Sequence, residues 1–184
     1  LRVVSSDPYQ RKNSVQTFDA SDMNQPRPID RAEFGANESL FATLFLGNKA
    51  FFVTFLRIDP FHAFEISDSG AITPKAEFEV SGWNDFFRAV AAETRLVGVG
   101  VDSGNVALSL YDISDLANPD PLLARQEVGA DSSSSEARWD HRAFSVIESA
   151  VDVVGPGGAR ETGLVLLPFS GWNEERQTYI SAVQ

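Results

Sequence analysis

Cysteine is absent from the 184 residues, and histidine occurs only at His62 and His141. Disulfides, thiolate metal sites and cysteine nucleophiles are therefore excluded, as is a metal centre built on several imidazoles. Basic residues are scarce as well: 15 Lys and Arg stand against 26 Asp and Glu, a formal charge of −11. That balance argues against nucleic acid or an anionic membrane surface as partner and leaves cations acceptable as ligands. Long hydrophobic runs are missing too. The longest, residues 41–56, is interrupted by Gly47, Asn48 and Lys49 and falls short of the ~20 residues a spanning helix needs. Leu1 opens the sequence without Met or a signal peptide, as a processed or excised piece would. What is present is a chain 43% hydrophobic with 14 Phe, long enough to bury about 70% of its unfolded surface.

A repeat organises the chain. Phe18-Asp19-Ala20-Ser21-Asp22 returns 93 positions later as Tyr111-Asp112-Ile113-Ser114-Asp115, each followed by two prolines, Pro26 and Pro28 or Pro119 and Pro121. Halfway between stands Phe64-Glu65-Ile66-Ser67-Asp68, so successive copies are 46 and 47 residues apart. That period suits a four-stranded propeller blade. Within each period, short Val, Ile, Leu and Phe runs are bounded by Gly, Asp, Asn and Pro, the pattern of strands and turns. Residues 40–46, 50–57, 62–67 and 76–80 form one set of four, and 86–91, 94–101, 106–113 and 122–128 the next. A longer set covers 141–147, 150–154, 162–169 and 177–183, and three strands precede the first full set. No segment holds a 3.6-residue period, so the class is all-β: a propeller of antiparallel four-stranded blades, incomplete at about 3.75 blades. As one domain over 1–184, it divides into a partial blade 1–35, blades 36–80 and 81–128, and a longer blade 129–184 with an inserted loop 129–142.

Four blocks, in order, carry a resemblance that covers nearly the whole chain. They are Leu1-Arg2-Val3; residues 45–55 running into Arg57-Ile58-Asp59-Pro60; residues 108–115; and Ser135-Glu136-Ala137-Arg138-Trp139-Asp140-His141-Arg142-Ala143-Phe144. In them the chain resembles a family of secreted bacterial and archaeal proteins with a C-terminal β-propeller domain. The resemblance implies the propeller architecture and a secreted, periplasmic or cell-surface setting. It lends no catalytic residues.

The repeated Asp-x-Ser-Asp is expected to be structural: Asp and Ser at a strand end accept backbone N–H groups and set the turn. The segment that the repeat leaves unexplained is 132–141. Asp131, Glu136 and Asp140 can supply hard oxygen ligands to Ca²⁺, and Glu136, Asp140 and His141 form a candidate ligand-binding set. On the structural alternative, Asp140 and His141 tie a strand to its neighbours and Trp139 packs between blades. His62, beside Phe61 and Phe64, reads as a packed imidazole. Arg57 and Asp59 read as an ion pair bracing a hairpin, and Gly155-Pro156-Gly157-Gly158 as a wide turn. Ser81-Gly82-Trp83-Asn84 and Ser170-Gly171-Trp172-Asn173 are identical but out of phase with the repeat, and the identity is taken as chance.

No Gly-x-Ser-x-Gly elbow accompanies Ser, Asp and His in the 132–141 segment, so no catalytic set is assigned. The expected function is a non-enzymatic, extracytoplasmic binding module, open to stabilisation by Ca²⁺. Its partner would be a protein, an envelope component or further blades of the same protein. The alternative is a hydrolase or lyase with its site at the channel mouth near Glu136, Asp140 and His141.

Overall fold

Runs of β-branched and aromatic residues favour a pleated, half-buried surface, and in the computed structural model they pair as antiparallel meanders. Residues 1–7, 9–55, 59–80, 82–129, 131–148, 153–154, 158, 160–161 and 163–184 are described. The readings of Arg57 with Asp59 and of Gly155 to Gly157 lie outside them.

Two units make up the chain: Leu1–Ser81 with Asp115–Pro121, and Gly82–Ser114 with Leu122–Gln184. The first holds β1 (Arg2–Asp7), β2 (Lys12–Asp19) and β3 (Arg27–Phe34) as one three-stranded sheet. It also holds β4 (Ser39–Leu46), β5 (Lys49–Phe55), β6 (Asp59–Ile66) and β7 (Ile72–Val80), a four-stranded sheet in chain order. The second unit begins with the equivalent sheet, β8 (Trp83–Val90), β9 (Arg95–Asp102), β10 (Asn105–Asp112) and β11 (Leu122–Glu127).

The repeat extends to irregularities of register. A bulge falls at Thr17/Phe18, Ala63/Phe64 and Leu110/Tyr111, the residue before each copy of the turn motif. In each case the extra residue, Ile29, Lys75 or Leu123, lies on the strand that follows the turn, where a bulge bends the strand and increases its twist. Asp19 accepts from Ser21 N–H and Asp112 from Ser114 N–H, both at 2.9 Å; Asp22 and Asp115 accept from Asn24 and Ala117 N–H in the same way. The Asp19 carboxyl is held below its ordinary range chiefly by the Ser21 amide. These two copies are turn clamps, as their repetition implies; in the middle copy Ser67 Oγ accepts from Ala71 N–H at 3.0 Å while Glu65 pairs with Lys75. One polar ladder position recurs in all three sheets: Gln16 opposite Arg31, His62 opposite Glu77, Ser109 opposite Arg125.

Side chains alternate along a strand, so adjacent Phe51 and Phe52 serve opposite faces. Phe51 meets Phe61 at 5.4 Å between ring centroids, while Phe52 stacks on Phe34 at 4.6 Å and meets Phe64 at 5.5 Å. Val15, Phe34, Ala50, Phe52, Phe64 and Ile66 form the core between the first unit's two sheets. In the second unit Val97, Val99, Val106, Ala137, Phe144, Leu167 and Phe169 are packed together. Among the described phenylalanine side chains, Phe41 alone is classed as exposed.

The last quarter departs from the expected four strands. Its main sheet has three: β12 (Ser132–Ser134), then β17 (Pro168–Asn173) and β18 (Thr178–Val183). Between β12 and β17 the chain makes two single 3-10 turns, Glu136–Arg138 and His141–Ala143, and the short hairpin strands β13 (Ser145–Ile147), β14 (Val153–Val154), β15 (Arg160–Glu161) and β16 (Leu164–Leu166). The strand expected over 141–147 is replaced in its first half by a turn because Asp140 caps that turn, accepting Arg142 N–H at 3.0 Å. The strand expected over 162–169 is split between β16 and β17. Of the two Ser-Gly-Trp-Asn copies, Trp83 and Asn84 open β8, whereas Ser170 to Asn173 end β17; Ser81 lies outside the described residues.

Candidate functional site

The segment from Gly129 to Phe144 sits on the second unit, and its local structure comes from short side chains capturing backbone. Ser135 caps the first 3-10 turn, accepting Ala137 N–H at 3.1 Å, and its hydroxyl donates to the Pro168 carbonyl. Ala137 and Phe144 are buried in the core and fix the two ends. Arg138 donates from Nε to Asp85 Oδ2 on β8 at 2.6 Å, with both side chains largely shielded. Its guanidinium carbon lies 4.5 Å from the centre of the Trp139 ring.

Trp139 itself is 68% exposed, which corrects the expectation that it packs between blades. The core positions already belong to Ala137 and Phe144, and a 3-10 turn directs the residue between them outward. Glu136 and His141 are exposed beside it. The result is an indole on an anchored segment, one side against a guanidinium and the rest open.

Two of the three carboxylates expected to share a cation, Asp140 and Asp131, are engaged separately. Both Asp140 oxygens accept from Arg142, at 2.9 Å from Nε and Nη2. These bonds and the Arg142 amide lower its carboxyl to about 2. Asp131 accepts the Glu174 amide at 2.8 Å. It lines a different feature, an open cleft of about 320 Å³ with Asn105, Glu127, Val128, Gly129 and Asn173. Among the described residues no three His, Asp or Glu side chains converge where they could hold a metal ion. Glu136 opens the first of the two adjoining turns, His141 opens the second, and Asp140 caps the second.

A second constellation lies in the first unit. Thr54 Oγ1 is 2.8 Å from His62 Nε2, and His62 Nδ1 is 3.3 Å from Glu77. Hydroxyl, imidazole and carboxylate are thus ordered as in a nucleophile relay. Thr54 has no exposed surface and His62 3%, so no substrate reaches the hydroxyl. The imidazole is packed, as expected. Glu38, Thr54 and Glu77, 24, 8 and 15 positions away, were not legible as its partners, because the β6–β7 register sets only Glu77 opposite His62 and the other two arrive from β5 and from the connection before β4.

Comparison with known sequences shows a match to the family described as the beta propeller domain over residues 1–179. An uncharacterised protein of Archaeoglobus fulgidus is 37% identical over 86 residues, 47% of this chain and 14% of that protein. An uncharacterised protein of Methanocaldococcus jannaschii is 29% identical over 108 residues, 58% of this chain and 17% of that protein. The aligned stretches thus span less than a fifth of either curated relative. No helix among the described residues is long and apolar enough to cross a membrane.

Proposed function

The chain belongs to the beta propeller domain family, and from that premise we propose that it is a non-enzymatic, extracytoplasmic binding module whose partner, a protein of the cell envelope, seats on Trp139. The observation that carries this reading is a large exposed indole on a backbone already fixed by Ser135, Asp140, Arg138 and two core residues. Binding hot spots are enriched in Trp and Arg, and a contact residue fixed beforehand loses little entropy on association. Glu136, His141 and Arg142 supply the polar rim. Propellers host many activities, so the reading rests on this surface and not on the fold.

The test is capture from envelope and medium fractions by the immobilised chain and its Trp139→Ala variant. A partner enriched by the first and lost by the second, with melting temperature unchanged, is the expected result. Equal capture by both, or none by either, would refute the reading.

A further inference from the structure

The sheet of β12, β17 and β18 turns one face to the core of its unit and the other to solvent. Side chains alternate along a strand. Phe169 and Ile180 point inward, the first buried in the core and the second packed beside it. The opposite face is built in cross-strand rows. One row holds Ser132, Trp172 and Tyr179, and the next holds Ser134, Ser170 and Ser181. Trp172 is 41% exposed and Tyr179 63%. Ser132, Ser134 and Ser181 are exposed, and Ser170 is half-buried. The surface proposed around Trp139 uses none of these residues.

The Tyr179 ring is held in place. Its hydroxyl donates to Ser170 Oγ at 3.1 Å, on a residue diagonal to it across the ladder. Diagonal neighbours on one face are about 7 to 8 Å apart, so the phenol lies along the sheet instead of standing out from it. Ser134 Oγ is 3.5 Å from Ser170 Oγ, which extends the hydroxyl row across β12 and β17. Such a face makes two demands on whatever covers it. The rings attract C–H groups, whose positive edge meets the negative π surface. The hydroxyls need donors and acceptors, because an apolar cover would remove their water without replacement. The inward face is covered differently: Val97, Val99 and Val106 of β9 and β10 pack with Phe169. Its one β12 hydroxyl, on Ser133, is satisfied by the Val106 N–H and the Val128 carbonyl.

Charge narrows the occupant further. Ser132–Ser134, Pro168–Asn173 and Thr178–Val183 contain no Asp, Glu, Lys or Arg, in a chain with 26 acidic and 15 basic residues. The net charge of −11 repels an anionic ligand, and these strands offer a cationic one no carboxylate. We propose that the outward face of β12–β17–β18 binds a neutral oligosaccharide, its pyranose C–H faces stacked on Trp172 and Tyr179 and its hydroxyls bonded to Ser134, Ser170 and Ser181. A sugar chain carries both chemistries on one uncharged molecule, apolar ring faces and a rim of hydroxyls. Trp and Tyr present large rigid surfaces at low entropic cost, and the tether from Tyr179 to Ser170 lowers that cost again.

The test is proton–nitrogen NMR of the full chain titrated with cellohexaose, mannohexaose and N-acetylchitohexaose, each to millimolar concentration. With 3 Trp in the chain, the indole signals are assigned with Trp172→Phe and Trp139→Phe. At least one sugar is expected to shift the Trp172 indole N–H and the Ser134, Ser170 and Ser181 amides while the Trp139 indole stays in place. Hexagalacturonate, a charged chain of the same length, should produce none of these shifts. Trp172→Ala should weaken the binding by about tenfold or more with the melting temperature unchanged. If that variant does not fold, Tyr179→Ala on the edge strand is measured against the same expectation. No shift with any neutral sugar, or equal binding of hexagalacturonate, would overturn the proposal. So would unchanged affinity in the variant, or shifts centred on Trp139, which would move the sugar to the other surface. Self-association in sedimentation that Trp172→Ala abolishes would overturn it too, because a second copy would then cover the face.

Discussion

Arg138 and Arg142 lie one turn apart in the same segment, and both hold an aspartate through the guanidinium. Their surroundings separate them. The Arg138 and Asp85 side chains are 20% and 10% exposed, those of Arg142 and Asp140 81% and 43%. Truncating one partner of a shielded pair strands the other charge away from water, whereas an exposed pair exchanges one solvated state for another. We expect Arg138→Ala to cost about 2 kcal/mol in urea unfolding and Arg142→Ala less than about 0.5 kcal/mol. Equal losses would mean that shielding does not set the difference. Neither partnership was legible as sequence. Asp85 and Arg138 stand 53 residues apart, and composition does not tell which charges are shielded together.

The strand least legible in the sequence is β12. Three serines carry no hydrophobic period, and 129–142 reads as an inserted loop. The backbone is instead recruited by polar groups: Ser133 N–H donates to Asn105 Oδ1 at 3.1 Å, Val106 N–H donates to Ser133 Oγ at 3.0 Å, and that hydroxyl donates to the Val128 carbonyl at 2.8 Å. On its other side β12 pairs with β17, where Gly171 faces Ser133. A Cβ on Gly171 would run into the Ser132 carbonyl, and backbone of a paired strand cannot give way without separating the ladder. Gly171→Ala is expected to cost about 1 to 3 kcal/mol. Amide exchange in β12 should speed up more than in β9; unchanged protection in β12 would show that its pairing with β17 does not depend on the missing Cβ. The regular strands behave in the opposite way. From β4 to β11 the alternating apolar runs announced each element, because there burial follows the two-residue period that sequence displays.

At the scale of the whole molecule, charge and the placement of carboxylates decide the response to ions. A net charge of −11 works against any compact state, and salt screens that repulsion. Two of the carboxylates expected as a cation set have a local role, Asp140 with Arg142 and Asp131 with the Glu174 amide. We expect sodium chloride to raise the melting temperature and excess EDTA to leave it unchanged; a fall with EDTA would show that a bound cation contributes to the fold. By itself the sequence determined the all-β class, the period and the turn clamps. Each of these arises from contacts within one hairpin, whose spacing the chain repeats. The polar cluster around His62, the shielded Arg138 and Asp85 pair, the serine strand and the exposed face of Trp139 were decided only by tertiary structure. Burial and partnership there depend on which distant segments pack together, and local periodicity does not encode that.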